Sequence, residues 1–281
     1  MNAKISVFTI FACFALLLAS CSKDNEDIPG GIEPPKAILD AFNTLYPNAS
    51  DTKWTVSNDY YVVTFENNNL DNTVWLDHTG VWAMIESELP LSQLPQAITT
   101  SIGQSAYADW KIEEADTLGR AGFGTVYKVE VEKGNEESDL YYSVYGNFIK
   151  AVNANGNEDA PIVVPDQVAN LMELTFSGMQ LLDILDQNPG VQLAMLDGTI
   201  FKIGQLNDQY YWQSTTWQIT ESEVPNVVMN GFMQSEYGND TIDSIYILVD
   251  ANGQFYKFNV IHNGNAVTVE FDVFGNIVEN K

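Results

Sequence analysis

Trp82-Ala-Met-Ile-Glu-Ser-Glu-Leu-Pro90 and Trp217-Gln-Ile-Thr-Glu-Ser-Glu-Val-Pro225 are two copies of one phrase, 135 positions apart (82 to 217). Each runs from an aromatic segment into a proline that precedes a helical stretch. A second pair, Ser143-Val-Tyr-Gly-Asn-Phe-Ile149 and Asp272-Val-Phe-Gly-Asn-Ile277, recurs with its glycines 129 positions apart (146 to 275). Two ordered matches at nearly one spacing indicate a tandem duplication, and such self-similarity sets the architecture before any other signal. The junction falls in Asn153-Ala-Asn-Gly-Asn-Glu-Asp-Ala-Pro161, a stretch of linker composition.

Each half divides again. Residues 35–46 place Ile38, Leu39, Phe42, Leu45 and Tyr46 on one helical face, with Pro35 at the start and Pro47 at the end. Four β-branched and aromatic runs follow, at Trp54–Val56, Tyr60–Glu66, Thr73–Asp77 and Val81–Ile85, separated by Asn, Asp and Gly. The second unit repeats the order, with a helix over 95–103, a strand opening at Trp110, and strands at 126–132, 140–145 and 148–152. In the third, 166–176 reads as a helix and Met179-Gln-Leu-Leu-Asp-Ile-Leu185 as a second helix or its continuation. The fourth carries a helix over 227–235 and strands at 244–249, 254–261, 266–272 and 277–279. The expectation is an α+β fold of αβ4 units, with antiparallel sheets and helices packed on one face. The expected domains are 34–155 and 164–281, the second divergent at 166–210.

Composition narrows the function. The chain has 281 residues, 45% hydrophobic, with 38 acids against 12 Lys and Arg, a formal charge of −26. So negative a surface repels phosphate backbones, which excludes nucleic acid as a partner. Two cysteines and two histidines leave little for a metal site or a thiol–imidazole dyad.

The N-terminus reads as an export signal. Lys4 precedes an apolar run, Ile5 to Leu18, too short for a transmembrane helix. Leu18-Ala19-Ser20-Cys21 has the form of a lipobox, so residues 1–20 are expected to leave and Cys21 to carry lipid and tie the chain to a membrane. Cys13 leaves with the signal, so no internal disulfide is expected. Residues 21–33 form an acidic, Pro/Gly-rich tether. Its acidic start, Ser22 to Asp27, resembles the signal that sends Bacteroides-group lipoproteins to the outer face of the outer membrane. Display on the cell surface is the expectation, with a periplasm-facing protein as the alternative.

Tyr46-Pro47 at a helix end, a following Trp54, the Tyr60-Tyr61-Val62 strand, and the turns Asp77-His-Thr-Gly80 and Asp250-Ala-Asn-Gly253 are similar to PepSY-like domains. Over about 34–280, weakly through 166–210, the chain resembles the β-lactamase-inhibitor-like, PepSY-like lipoproteins of the Bacteroides group. That resemblance implies tandem αβ4 units and a non-catalytic role. The namesake inhibitor grips an enzyme loop in the concave face of such a sheet. Nothing in this sequence matches its contact residues, so inhibition of a β-lactamase is not carried over.

No catalytic or metal-binding residue and no cofactor is expected. Phe123-Gly-Thr-Val-Tyr-Lys128 imitates part of a kinase Gly-rich loop, but the other kinase motifs are missing. His78 and His262 fall at turns with no nucleophile motif beside them, and Ser87 and Ser222 read as helix-capping residues. The acidic turns, such as Glu132 to Asp139, lack EF-hand spacing. The candidate partner-binding residues are aromatic. If helices cover one face of each sheet, the other face carries Tyr60, Trp75, Tyr141, Tyr211, Trp212 and Trp217. An open, ring-bearing face would grip a protein or peptide. The alternatives are a glycan stacked on the rings, and a face closed by packing within the molecule.

Overall fold

Four prolines open four helices. Pro35, Pro95, Pro165 and Pro225 are the N-cap residues of α1 (Lys36–Leu45), α2 (Gln96–Gly103), α3 (Asp166–Leu174) and α4 (Asn226–Gln234). Proline suits a helix entrance because it lacks the backbone N–H that would stand unpaired there. Three residues on, Ile38, Ile98, Val168 and Val228 are all at most 1% exposed. These prolines lie 60 positions apart within each half and 130 apart between halves (35 to 95, 165 to 225; 35 to 165). The coordinates are a computed structural model that describes residues 31–153, 159–187 and 189–278.

The strands follow in sequence order. β1 (Ser50–Ser57), β2 (Tyr60–Asn67), β3 (Leu70–Asp77) and β4 (Trp82–Glu88) follow α1. β5 (Lys111–Arg120), β6 (Val126–Lys133), β7 (Glu136–Tyr142) and β8 (Phe148–Asn153) follow α2. All eight form one antiparallel meander. β9 (Gln180–Asp186), β10 (Val191–Asp197), β11 (Ile200–Leu206) and β12 (Trp212–Ile219) follow α3, and β13 (Thr241–Asp250), β14 (Gly253–His262) and β15 (Asn265–Asp272) follow α4. These seven form a second meander, in which a single bridge, Phe271 to Ile277, stands where the eighth strand would be.

Helices cover one face of each sheet. Ile38 and Phe42 of α1 pack on Trp54, Val63, Phe65, Val74 and Leu76, and Ile98 and Ile102 of α2 on Val129, Val131, Leu140 and Tyr142. Val168 of α3 meets Leu181, Leu193 and Met195, and Val228 and Phe232 of α4 meet Ile245, Phe258 and Phe271. The alternate strand residues point the other way, and there the two sheets pack on each other. Val62, Trp75, Met84, Leu118, Val126, Tyr141 and Ile149 of the first sheet share a cluster with Leu182, Ala194 and Leu196 of the second. The stack is helix, sheet, sheet, helix.

Polar groups fix that junction. The Arg120 guanidinium, 4% exposed, donates to Leu182 O at 2.8 Å and stands 3.4 Å from the fully buried Asp183 carboxylate. Lys150 Nζ lies 2.9 Å from the other Asp183 oxygen, and the Gly124 N–H donates to Leu181 O.

One turn recurs in all four units, after the third strand. Oδ1 of Asp77 accepts the N–H groups of Thr79 and Val81, and Ser143 Oγ accepts those of Tyr145 and Asn147. Oδ1 of Asn207 accepts from Gln209 and Tyr211, and Oδ1 of Asp272 from Phe274 and Asn276. The fourth turn position is left-handed each time, and it is Gly80, Gly146, Tyr210 and Gly275. In two units the glycine is needed for contact as well as for φ. A β-carbon on Gly146 would run into the Ala97 carbonyl of α2, and one on Gly275 into the Val227 carbonyl of α4.

Several expectations need correction. The stretch Met179–Leu185 runs into strand β9, which begins at Gln180, rather than into a helix. It lies between α3 and the first sheet, so both faces are apolar and the alternation that marks a strand is lost. The two Glu-Ser-Glu copies do not correspond. Glu86–Glu88 ends β4, whereas Glu221–Glu223 is a 3-10 turn, and the structural repeat is 130 residues, pairing Trp82 with Trp212. Asp250–Gly253 is the β13–β14 hairpin, a different turn from Asp77–Gly80. Leu45, expected on the buried helix face, is 48% exposed. The signal segment, Cys21 and the acidic tract lie outside the described residues, as do linker residues 154–158. Among the described residues, no helix is long and apolar enough to cross a membrane.

Candidate functional site

Packing of the two sheets decides where each expected aromatic goes. Trp75 and Tyr141, 6% and 3% exposed, lie in the sheet-to-sheet core and offer no surface. The Tyr141 hydroxyl donates to Asp159 at 3.1 Å, and burial followed by the Asp159 charge raises its pKa. Tyr60 sits half-buried at the margin of the same core. Trp212 and Trp217 point to the helix side. An extra residue, Gln213, shifts the β11–β12 register and turns Trp212 toward the α3 cluster, where its Nε1–H donates to Thr215 Oγ1. Trp217 packs on the α4 cluster with Lys202 Nζ 4.5 Å over its ring. Tyr211 is 69% exposed, in the β11–β12 turn rather than in a strand. The structure therefore does not gather the six rings into one patch.

What remains open is half of the second sheet. The first sheet covers β9–β11 and stops, leaving the helix-free face of β12–β15 uncovered beside the β7–β8 turn and the α2 end. The result is a cleft of about 1040 Å³. Thr216 and Gln218 of β12, Tyr246 of β13, Lys257 and Asn259 of β14 and Thr268 of β15 line one wall, in register across the ladder. Phe148 and Asn147 of the first sheet, with Phe201 and Ile203 of β11, form another. Lys257 and Glu223 are the charged residues of the lining, so this cleft is near neutral on a strongly acidic molecule. Internal bonds hold its floor: Thr268 Oγ1 donates to Asn259 Oδ1, and Asn259 Nδ2 to Ser244 Oγ.

The first sheet keeps a smaller open region of opposite character. Asp71, Asn72, Thr73, Glu86, Glu88, Glu114, Asp116, Lys128 and Glu130 line a cleft of about 190 Å³. Lys128 Nζ is held by Glu86 at 2.7 Å and Asp159 at 3.2 Å. Burial works against the Lys128 ammonium, but the charges of Glu86 and Asp159 outweigh it and raise its pKa. Burial, and then the neighbouring Glu86 charge, push Asp116 up to about 7. Burial also raises Glu86, Glu130 and Asp139.

The remaining sequence candidates are structural. His262 Nδ1 lies 2.6 Å from Asp240 Oδ2, with the Tyr237 ring against it, and His78 is a turn residue. Ser87 lies within β4, and the 3-10 turn before α4 is capped by Thr220 and Glu223, whose Oε2 accepts the Thr220 N–H, rather than by Ser222. Among the described residues, no three His, Cys, Asp or Glu stand close enough to hold a metal ion. The residues missed are the polar ones of the large cleft. Their signal was the strict alternation of Tyr256, Phe258 and Val260 with Phe255, Lys257 and Asn259 along β14.

Comparison with known proteins gives a consistent picture. A family model described as "Putative beta-lactamase-inhibitor-like, PepSY-like" matches residues 59–150 and 205–279, one segment in each sheet. Among solved structures, a BLIP-like protein from Bacteroides fragilis NCTC 9343 is 33% identical, over 48% of this chain and 97% of its own, with a TM-score of 0.43. A DUF2874 family protein from Bacteroides uniformis ATCC 8492 is 23% identical, over 43% and 90%, at 0.41. One described as "putative periplasmic", from Bacteroides eggerthii DSM 20697, is 21% identical, over 43% and 89%, at 0.41. No curated protein matches the chain.

Proposed function

The chain belongs to the β-lactamase-inhibitor-like, PepSY-like family, and from that premise we propose that it is a non-catalytic, lipid-anchored envelope module that holds a segment of a protein partner in the cleft on β12–β15. The family description points to a non-enzyme. One observation carries the reading. The second sheet has a helix-free face that the first sheet seals over β9–β11 and leaves bare over β12–β15, where rings and uncharged polar groups share a concave wall. Such a wall suits a loop that brings both apolar side chains and backbone amides. Tyr211, exposed in the turn between β11 and β12, lies outside the lining of that cleft.

Anchoring through Cys21 would present the module outside the cytoplasm, and the acidic tract after it supports display on the cell surface. Changing Cys21 to Ser should move the protein from the membrane to the soluble fraction. Recovery of the variant with the membranes would contradict lipid anchoring.

A photo-crosslinking amino acid placed at Tyr246 or Thr216 tests the cleft. Discrete adducts are expected from both positions in the producing cell, and none from Met233, 62% exposed on α4. Equal adducts from Met233, or none from the cleft, would contradict the reading. A specific observation also favours a second reading. Gln192, Gln218 and Asn259 beside Phe201 and Tyr246 are the chemistry of a sugar site, and adducts carrying only glycan would select it.

A further inference from the structure

Three Asn-Gly pairs lie among the described residues, Asn230-Gly231, Asn252-Gly253 and Asn263-Gly264, and a fourth, Asn155-Gly156, lies outside them. Such a pair can close on itself. The glycine nitrogen loses its proton, attacks the asparagine side-chain carbonyl and expels ammonia, leaving a five-membered imide. Water then opens the imide to aspartate or to isoaspartate, so one water is taken up and one ammonia lost per residue. Ring closure needs an exposed side chain, a glycine N–H that is not otherwise engaged, and a backbone free to bend between them.

The three described pairs differ on these points. Gly231 lies inside α4, where backbone N–H groups belong to the helix ladder, and it packs directly on the Gly275 carbonyl. At the β13–β14 hairpin one carboxylate holds every group the reaction uses. Asp250 Oδ1 accepts the Asn252 N–H at 2.7 Å and the Gly253 N–H at 3.1 Å, and Asn252 Nδ2 stands 3.3 Å from Oδ2. A nitrogen beside a carboxylate resists losing its proton, because the anion formed would face a like charge.

The β14–β15 hairpin has no such restraint. Asn263 and Gly264 are the two-residue turn between His262 and Asn265, both exposed and both left-handed, at φ 51° and 80°. Among the described residues, no acceptor meets the Gly264 N–H and no partner the Asn263 side chain. The bond made here is from Asn265 Nδ2 to Asn263 O, at 3.3 Å. It draws electron density out of the Asn263–Gly264 peptide and eases proton loss from the Gly264 nitrogen.

We infer that Asn263 is a site of spontaneous deamidation, converting through the cyclic imide to isoaspartate, while Asp250 shields Asn252 from the same chemistry. Water is the co-reactant, and no partner is required, so the site goes beyond the reading given above. The product adds a carboxylate and, as isoaspartate, an extra main-chain atom to the turn that sets β14 against β15. Asn259 and Thr268, opposed on that ladder, line the large cleft, so the change falls at the end of its wall.

The test incubates the full chain in mildly alkaline buffer, beside a sample unfolded in guanidinium, and follows each Asn-Gly pair by mass spectrometry of its peptides. In the unfolded sample, Asn252 and Asn263 should convert at rates within threefold of each other. In the folded chain, Asn263 should convert at least tenfold faster than Asn252 or Asn230, with isoaspartate exceeding aspartate. Asp250→Ala should raise the folded Asn252 rate threefold or more and leave that of Asn263 within twofold. Folded Asn263 converting no faster than Asn252 would overturn the proposal. So would aspartate as the sole product, which marks direct hydrolysis without ring closure, or an unchanged Asn252 rate in Asp250→Ala.

Discussion

β10 and β14 hold the same place in successive units, yet one is core and the other is half surface. Val191-Gln-Leu-Ala-Met-Leu-Asp197 is buried almost without interruption, because α3 covers one face and the first sheet the other. In β14, Tyr256, Phe258 and Val260 are buried under α4, while Phe255, Lys257, Asn259 and Ile261 look out from the uncovered face. Duplication therefore supplied one scaffold, and side-chain choice on the helix-free face decided which part became glue and which remained available for binding. A run that is apolar on both parities marks the sealed part, and strict alternation marks the open one.

The contrast breaks most visibly at the buried charges. Arg120→Ala takes the guanidinium from the fully buried Asp183 and from Leu182 O, leaves the carboxylate only the part-exposed Lys150, and should cost about 3–5 kcal/mol in urea unfolding. Lys257→Met, on the open face of β14 opposite Glu270, should change stability by no more than about 0.5 kcal/mol. Similar losses in the two variants would mean that the sheets are not joined through Asp183. Next in size is apolar contact. Leu182→Ala, at 1% exposure in the sheet-to-sheet core, should cost about 2–5 kcal/mol, and Ile261→Ala, at 43% exposure, under about 1 kcal/mol.

How far the sequence was legible follows from the same contrast. Helix entrances at Pro35 and Pro95 and the strands of units one, two and four are readable, because alternation and turn residues survive where a face meets solvent. Unit three was opaque for the opposite reason: β9 and β10 are buried on both sides and lose their period. The Glu-Ser-Glu match misled the repeat by five residues, since a short charged phrase can recur by chance. The proline spacing of 60 and 130 is tied to helix entry and holds throughout. Trp75 and Tyr141 could not be assigned from parity alone. Parity gives the face, but which faces pack together is set by contacts 41 to 121 residues away (141 to 182, 75 to 196), such as those of Leu182 and Leu196. Trp212 failed because a one-residue bulge reverses parity.

The recurring turn sharpens the comparison between units at a smaller scale. Gly146→Ala forces a left-handed residue with a β-carbon against the Ala97 carbonyl, and should cost about 1–3 kcal/mol. Tyr210 already holds that conformation (φ 61°), with its ring packed on the α3 cluster. Tyr210→Gly should therefore fall within about 1 kcal/mol of wild type, backbone relief offsetting lost contact. A Tyr210→Gly loss as large as that of Gly146→Ala would show that the third turn is held chiefly by the ring.

The last comparison distinguishes the acidic open region from the neutral one by pH. Asp116 is raised in the folded chain to about 7, by burial first and the Glu86 charge second, against an unfolded value of about 3.9. Between those values the folded state keeps a proton that the unfolded state has released. The stability this provides is full below about pH 4 and is lost as pH rises through about 7. Asp116→Asn removes that dependence, so its melting temperature should match wild type near pH 4 and exceed it by a gap that widens to about pH 7 and then levels. Glu86, Glu130 and Asp139 are raised in the same direction, but they are present in both proteins and largely cancel in the difference. A gap that stays constant from pH 4 to 8 would mean that Asp116 ionises as an ordinary carboxylate. Burial of Asp116 beside Glu86 would then impose no strain on the sheet.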